Sequence, residues 1–321
     1  MLKVVSLFSG CGGADRGLIG GFIFNRKRYA KLPYELVYAL DIDQKAINTH
    51  KLNFKCANVV VSDIRDVHED EIPEHDVLVG GFPCQSFSTV NPTKDPSDDR
   101  ANLYKEMVRI VRAKKPKVFI AENVKGFMTL QKGKILERVK EAFEEAGYTV
   151  TYRLINAAEY GVPQRRERVF LIGVRNDLER EFEFPEPTTT EKPVPLSVAV
   201  HKLDIDEQKY YFSERAVQGM KNAKSNMKRG LYQNLDEPCL TITSHLAKVS
   251  LNSRDPVLLV DPDKELYRRF TPREAARIQS FPDSFEFAGS EADAYRQIGN
   301  AIAPVMFWHI SKAVMETLEN V

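Results

Sequence analysis

In "GGFPCQSFS" (80–88), two glycines and a proline lead to Cys84, and hydroxyl and amide side chains follow it. Gly80 and Gly81 let the backbone pass close to a neighbour, and Pro83 stiffens the approach. A thiol so placed is either a small packed hydrophobe or a nucleophile. A second group, "LFSGCGGADRG" (7–17), follows an apolar run, where glycine turns let backbone N–H groups approach a nucleotide-like cofactor. The dinucleotide fingerprint GxGxxG is not met, because Asp15 stands where its third glycine would be. Asp41 and Asp63 each end an apolar run. Asp41 there can accept from ribose hydroxyls and Asp63 from an adenine amino group, although either can equally cap a helix. Glu122 ends "KVFIA", and Arg166 and Arg168 are two apart, so on a strand they share one face while Arg165 points away. A surface carboxylate and a solvated charged strand are the plainer readings of these last groups.

Groups so far apart in the chain need a scaffold that gathers them. Apolar β-rich runs at 3–8, 35–40, 58–63, 76–80 and 117–122 alternate with helical patterns near 43–54, 100–114 and 132–147, which predicts a parallel sheet with crossover helices. Two more strands are expected near 149–156 and 168–174, and helices at 271–280 and 304–319, the first capped by Thr271 with Pro272 in its first turn. In such sheets ligands bind at the carboxyl ends of the strands, where Asp41, Asp63, Cys84 and Glu122 all fall. "EFEFPEPTTTEKPVP" (181–195) forbids a continuing helix or central strand. The expected domains are therefore 1–185 for catalysis and cofactor, 186–266 as a smaller domain, and 267–321 as a return to the first.

Composition narrows the function classes. The 321 residues are 43% hydrophobic with net charge +1, so no strongly basic coat is present, although a neutral total can hide a basic cleft. The four cysteines, Cys11, Cys56, Cys84 and Cys239, form no CxxC pair, so neither a zinc site nor a disulfide framework is expected. No run approaches a membrane helix or a signal peptide, which predicts a cytoplasmic protein without membrane contact. The six histidines fall in no nucleophile and base arrangement that would suit a cysteine hydrolase. Two basic stretches stand out, "FNRKRYAK" (24–31) and "SERAVQGMKNAKSNMKRG" (213–230); each reads as a solvated surface or as a phosphate contact.

In order along the chain, "FSGCGG", "GGFPCQSFS", "ENV" (122–124), "QRRERVF" (164–170) and "GNAIAP" (299–304) resemble the sequence blocks of the DNA cytosine-5 methyltransferases, over about 1–180 and 266–321. The resemblance implies a Rossmann-like S-adenosylmethionine-dependent α/β sheet with a target-recognition domain at 186–266. It implies S-adenosyl-L-methionine as cofactor, double-stranded DNA as partner, a monomer on DNA, and pairing with a cognate restriction endonuclease. It makes Cys84 the nucleophile, Glu122 the acid at the base, Asn123 an orienting amide, and Arg166 and Arg168 contacts to base and phosphate. For the cofactor it implies Phe8, Ser9, Gly10, Gly12, Gly13, Asp41, Ile42, Asp63, Ile64, Phe82, Pro83, Leu103, Asn300 and Ala301, and for DNA Gln85, Ser88 and Thr241. Asp41 departs from the family's usual glutamate and Ile42 from its usual aromatic, which bears on cofactor affinity. The nearest alternative is a tRNA cytosine-5 methyltransferase on the same scaffold. Such enzymes carry a Cys-Phe-Thr tripeptide, which none of the four cysteines begins. A catalytically silent DNA-binding protein is a further alternative, against which Cys84, Glu122, Arg166 and Arg168 all speak.

Overall fold

Runs such as "VFIA" and "VFLI" are apolar on both faces, and that is what a strand covered on both sides requires. In the computed structural model they form a seven-stranded sheet: β1 Leu2–Leu7, β2 Tyr34–Asp41, β3 Asn58–Val61, β4 Val77–Gly80, β5 Val118–Val124, β6 Tyr148–Asn156 and β7 Glu167–Arg175. The spatial order is β3-β2-β1-β4-β5-β7-β6. The structure describes residues 1–56, 58–83, 103–200, 202–222, 232–248 and 256–319, so Cys84, Gln85 and Ser88 lie outside the described residues.

β1 to β5 are parallel. β7 runs antiparallel to β5 and β6, pairing Arg168 with Val124 and Phe170 with Glu122. The five strands read as parallel in the sequence are so, and the reversal of β7, whose direction the sequence left open, matters for the site: a reversed strand brings its amino end, with Arg166 and Arg168, to the edge where the parallel strands present their carboxyl ends.

Alternate residues feed two core layers. Val4, Val79, Ile120 and Phe170 point to the side covered by α1 (Gly13–Ile19), α6 (Pro272–Ile278) and α8 (Pro304–Leu318). Val5, Leu78, Phe119 and Leu171 face α3 (Leu103–Lys114) and α4 (Lys134–Glu144). Helix starts carry their caps: Asp43 accepts from Lys45 and Ala46 N–H at the head of α2 (Gln44–Asn53), and Thr271 with Glu274 forms a capping box on α6. α7 (Glu291–Asn300) opens on the Ser290 and Asp293 box. No helix among the described residues is long and apolar enough to cross a membrane.

Within the expected second domain, the described residues include α5 (Glu214–Lys221), and its Val217 clusters with Val257 and with Tyr267, the first residue of the expected return. Leu196, Cys239, Ile242 and Leu246 of the same segment join the main core instead. Cys239–Leu240 pairs in parallel with Gln164–Arg165, which ties this segment to the sheet end.

A Cβ on Gly173, in the middle of β7, would stand 2.0 Å from the Phe119 ring. Gly173→Ala is expected to lower unfolding free energy by about 1–3 kcal/mol through overpacking. Denaturant titration checks this; an unchanged midpoint would mean that the ring has room to move.

Candidate active site

The carboxyl ends of β1, β2, β4 and β5 open into one cleft of about 660 Å³, a size suited to a small-molecule ligand. On its β1 side the chain turns sharply: Phe8 has φ 54° and Gly12 φ 89°, a conformation that a side chain strains at. The turn is closed by Asp41, whose Oδ2 accepts from Gly10 N–H at 2.8 Å and whose Oδ1 accepts from Asp43 N–H at 2.8 Å. Burial pushes the Asp41 carboxyl above its ordinary range. Beneath the turn, His50 Nε2 and Asp15 Oδ2 meet at 3.0 Å, both side chains fully buried, and a Cβ on Gly12 would strike Phe54 and His50. Gly12 thus serves the turn and its packing and does not line the cleft.

Phe8, Ser9, Gly10, Gly13, Asp41, Ile42, Phe82, Pro83, Asn300 and Ala301 do line it. Among the described residues, Ser9 Oγ is buried without a hydrogen-bond partner and nothing stands over Gly10, so the turn offers a donor and a cradle. Asp63, Ile64 and Leu103 are not among the lining residues. Asp63 caps the single turn Ile64–Asp66 and is held by Arg65 at 2.6 Å, which keeps its carboxyl below the ordinary range. Ile64 and Leu103 are core residues, with Phe8 packed against their cluster. The cap that the sequence allowed for Asp63 is thus formed.

On the β5 side, Glu122 Oε1 is 3.0 Å from Arg168 Nε, with both side chains only 14% exposed. Burial raises the Glu122 carboxyl, against the opposing pull of Arg168 and Arg166. Gly81 explains the fit: a Cβ there would lie 3.2 Å from Glu122 Oε2. Asn123 donates from Nδ2 to the Phe82 carbonyl at 2.9 Å, fixing the loop that leaves β4 to the end of β5.

Arg166 and Arg168 both reach the cleft but do different work. Arg166 is 1% exposed and donates to the carbonyls of Ile242 at 3.2 Å, Gly299 at 2.9 Å and Ala301 at 3.0 Å. Its guanidinium joins three segments that are distant in sequence. Arg165 points outward to Glu237 at 2.6 Å. Thr241 uses its hydroxyl on the Arg165 carbonyl at 2.7 Å, so it anchors the segment from which it projects.

Sequence reasoning missed Asp43, Arg296 and Gln297, which also line the cleft. Arg296 reaches Asp43 at 3.2 Å, and Gln297 Oε1 is buried with no partner among the described residues. Arg296 and Gln297 precede Asn300 by four and three residues, the spacing of one helix face, but which face of α7 meets the cleft is set only by the fold.

The division of labour between the arginines is testable. Arg166→Ala is expected to lower unfolding free energy by about 3–5 kcal/mol, since three carbonyls lose their donor. Arg168→Ala is expected to cost about 1–2 kcal/mol, because Glu122 can take up a proton. Equal losses in denaturant titration would contradict the positioning role of Arg166.

Residues 2–316 match the family model of the C-5 cytosine-specific DNA methylases. The chain is 33% identical to the type II methyltransferase M.FnuDI of Fusobacterium nucleatum, over 99% of this chain and 95% of that one. It is 35% identical to M.NgoFVII of Neisseria gonorrhoeae, over 98% and 86%. Its fold is similar to that of a putative DNA modification methyltransferase from an E. coli prophage, with TM-score 0.77, 24% identity, and coverage of 99% of this chain and 100% of that one. The S. pombe Dnmt2 methyltransferase superposes with TM-score 0.78 at 20% identity, covering 100% and 99%. With a family model spanning nearly the whole chain and relatives matched end to end, this protein belongs to the C-5 cytosine-specific DNA methylase family.

Proposed function

We propose that the protein transfers a methyl group from S-adenosylmethionine to carbon 5 of cytosine in one duplex DNA sequence, through a cysteine adduct with a flipped-out base. The observation that carries this reading is the cleft wall itself: Gly81, Phe82 and Pro83 line it beside the Glu122 carboxylate, and the next residue in the chain is Cys84. Burial raises the other three thiols, Cys11 to about 12, so none of them suits a thiolate role.

S-adenosylmethionine, when bound, supplies an electrophilic methyl group. Asp41, Ser9 and the Gly10 turn would hold its polar groups, and Phe8 and Ile42 its apolar surface. Cytosine carbon 5 is a poor nucleophile, so the Cys84 thiolate adds to carbon 6 and makes carbon 5 enamine-like. Glu122 holds a proton at N3 to balance the charge that develops there. Arg168 keeps that carboxyl in place and is within reach of the base. Once carbon 5 has its methyl group, its proton leaves to solvent, the C–S bond breaks, and the thiolate and the ring double bond return. The ring face attacked is covered in a stacked duplex, so the base must swing out.

Residues 186–266 form the target-recognition domain in this proposal, with Gln85, Ser88 and Thr241 near the DNA. Pairing with a cognate endonuclease follows the type II names of the relatives. The tRNA alternative has no specific observation in its favour.

Bisulfite sequencing of plasmid DNA treated with protein and S-adenosylmethionine should show methylcytosine in one short repeated context. Methylation of tRNA alone would sink the DNA assignment. Cys84→Ser should abolish transfer while leaving cofactor binding within about twofold.

The raised Glu122 carboxyl gives a pH test. Its native state retains the proton to higher pH than the unfolded chain, so this group's contribution makes stability fall as pH rises from the ordinary carboxylate range toward the raised value. Activity should show a limb that declines as Glu122 ionises. Glu122→Gln should lower kcat by about 100-fold and remove that limb. An identical pH profile in the variant would exclude Glu122 as the proton holder.

A further inference from the structure

The basic stretch after α1 has no part in the cleft. It folds as a hairpin, Phe22–Phe24 against Lys27–Tyr29, turned through Asn25 and Arg26 at φ 43° and 61°, as a tight two-residue turn requires. Its underside is fastened to the body: Phe22 stacks on Tyr29 at 5.1 Å, Tyr29 meets Trp308 edge-on at 5.3 Å, and the Trp308 indole donates to the Ala30 carbonyl at 2.9 Å. The other face carries Ile23 beside Arg28. Arg26, Lys27, Arg28 and Lys31 are all exposed, and none forms an ion pair with a described residue. By contrast, Arg277, across a groove of about 990 Å³ from the hairpin, is held by Asp283 at 2.7 Å.

Position decides what these charges can meet. Leu2 N–H donates to the Pro33 carbonyl at 2.7 Å and Leu32 N–H to that of Ile19 at 2.9 Å, so the hairpin springs from the amino edge of the sheet. The cleft lies at the carboxyl edge. None of residues 22–31 lines that cleft; Arg26 and Arg28 instead border a separate groove with Ser197, Val198, Arg277 and Phe281.

We infer that the 22–31 hairpin is an accessory contact for duplex DNA phosphates outside the target site. Arg26, Lys27 and Arg28 on the ribbon and Lys31 two residues beyond it, none of them ion-paired among the described residues, complement a phosphate backbone without reading bases. The contact retains the enzyme on long DNA between target sites. This inference rests on the proposed reading that duplex DNA is the substrate.

The test compares wild type with Arg26→Gln/Lys27→Gln/Arg28→Gln, which spares Phe22, Phe24 and Tyr29, on a plasmid and on a short duplex that covers only the target site. An unchanged thermal midpoint confirms the fold. On the short duplex the two proteins should have equal kcat and KM. On the plasmid the variant's KM should rise about three- to tenfold, and the slope of log affinity against log salt should shrink by about 1–3. Lys31→Gln alone should move the same way by less. An unchanged plasmid KM and salt slope would overturn the inference. Hairpin-dependent binding of polyglutamate, with DNA binding unaffected, would overturn it in favour of an acidic polypeptide. Loss of methylation on both DNAs with wild type would count against the proposed function, whereas salt dependence, read by anisotropy, would still decide the accessory contact.

Discussion

A single carboxyl group organises the site. Glu122 lies between the bare backbone of Gly81 and the guanidinium of Arg168, at 14% exposure. Both neighbours are needed for different reasons. A side chain at 81 would crowd the carboxylate, and without a nearby cation a charge so poorly hydrated would be costly. Because water is largely excluded, burial outweighs the arginines and lifts the carboxyl, which moves it toward the pH range in which it can hold a proton for a substrate. The Asn123 bond to the Phe82 carbonyl then keeps the loop that leads to Cys84 in register with that group.

The reversal of β7 makes this geometry possible. Had the strand run parallel, Arg166 and Arg168 would sit at the opposite edge. The Arg166 bonds to the Ile242, Gly299 and Ala301 carbonyls extend the effect, holding the segment after Cys239 and the turn after α7 against the sheet end. Gln164 adds to the joint, donating to Gln279 at 2.5 Å and accepting from Ile242 N–H at 3.0 Å. A buried polar network of this kind specifies one arrangement more than it adds stability, since every partner left unpaired is costly.

Much of this was legible in the sequence, for physical reasons that differ by element. The parallel strands announced themselves because strands buried on both faces must be apolar throughout, and their ends located Asp41 and Glu122. An apolar run has no direction, however, so the reversal of β7 could not be read. Local spacing put Arg166 and Arg168 on one face, but that Arg166 spends itself on three carbonyls depends on chain segments far away in sequence. Asp63 carried two open readings, and only the fold shows it turned to its own N-terminal cap and to Arg65. Arg296 and Gln297 escaped notice because their chemistry depends on which face of α7 meets the cleft.

Covalent attack by Cys84 is the claim on which the functional account turns. A duplex with fluorine at carbon 5 of the target cytosine removes the last exit, because fluorine cannot leave as a proton does and the C–S bond then persists. Incubated with this duplex and S-adenosylmethionine, the wild-type protein should yield a denaturation-resistant complex whose mass equals protein plus methylated strand, mapping to Cys84. Recovery of free, unmodified protein from an otherwise active preparation would contradict the account.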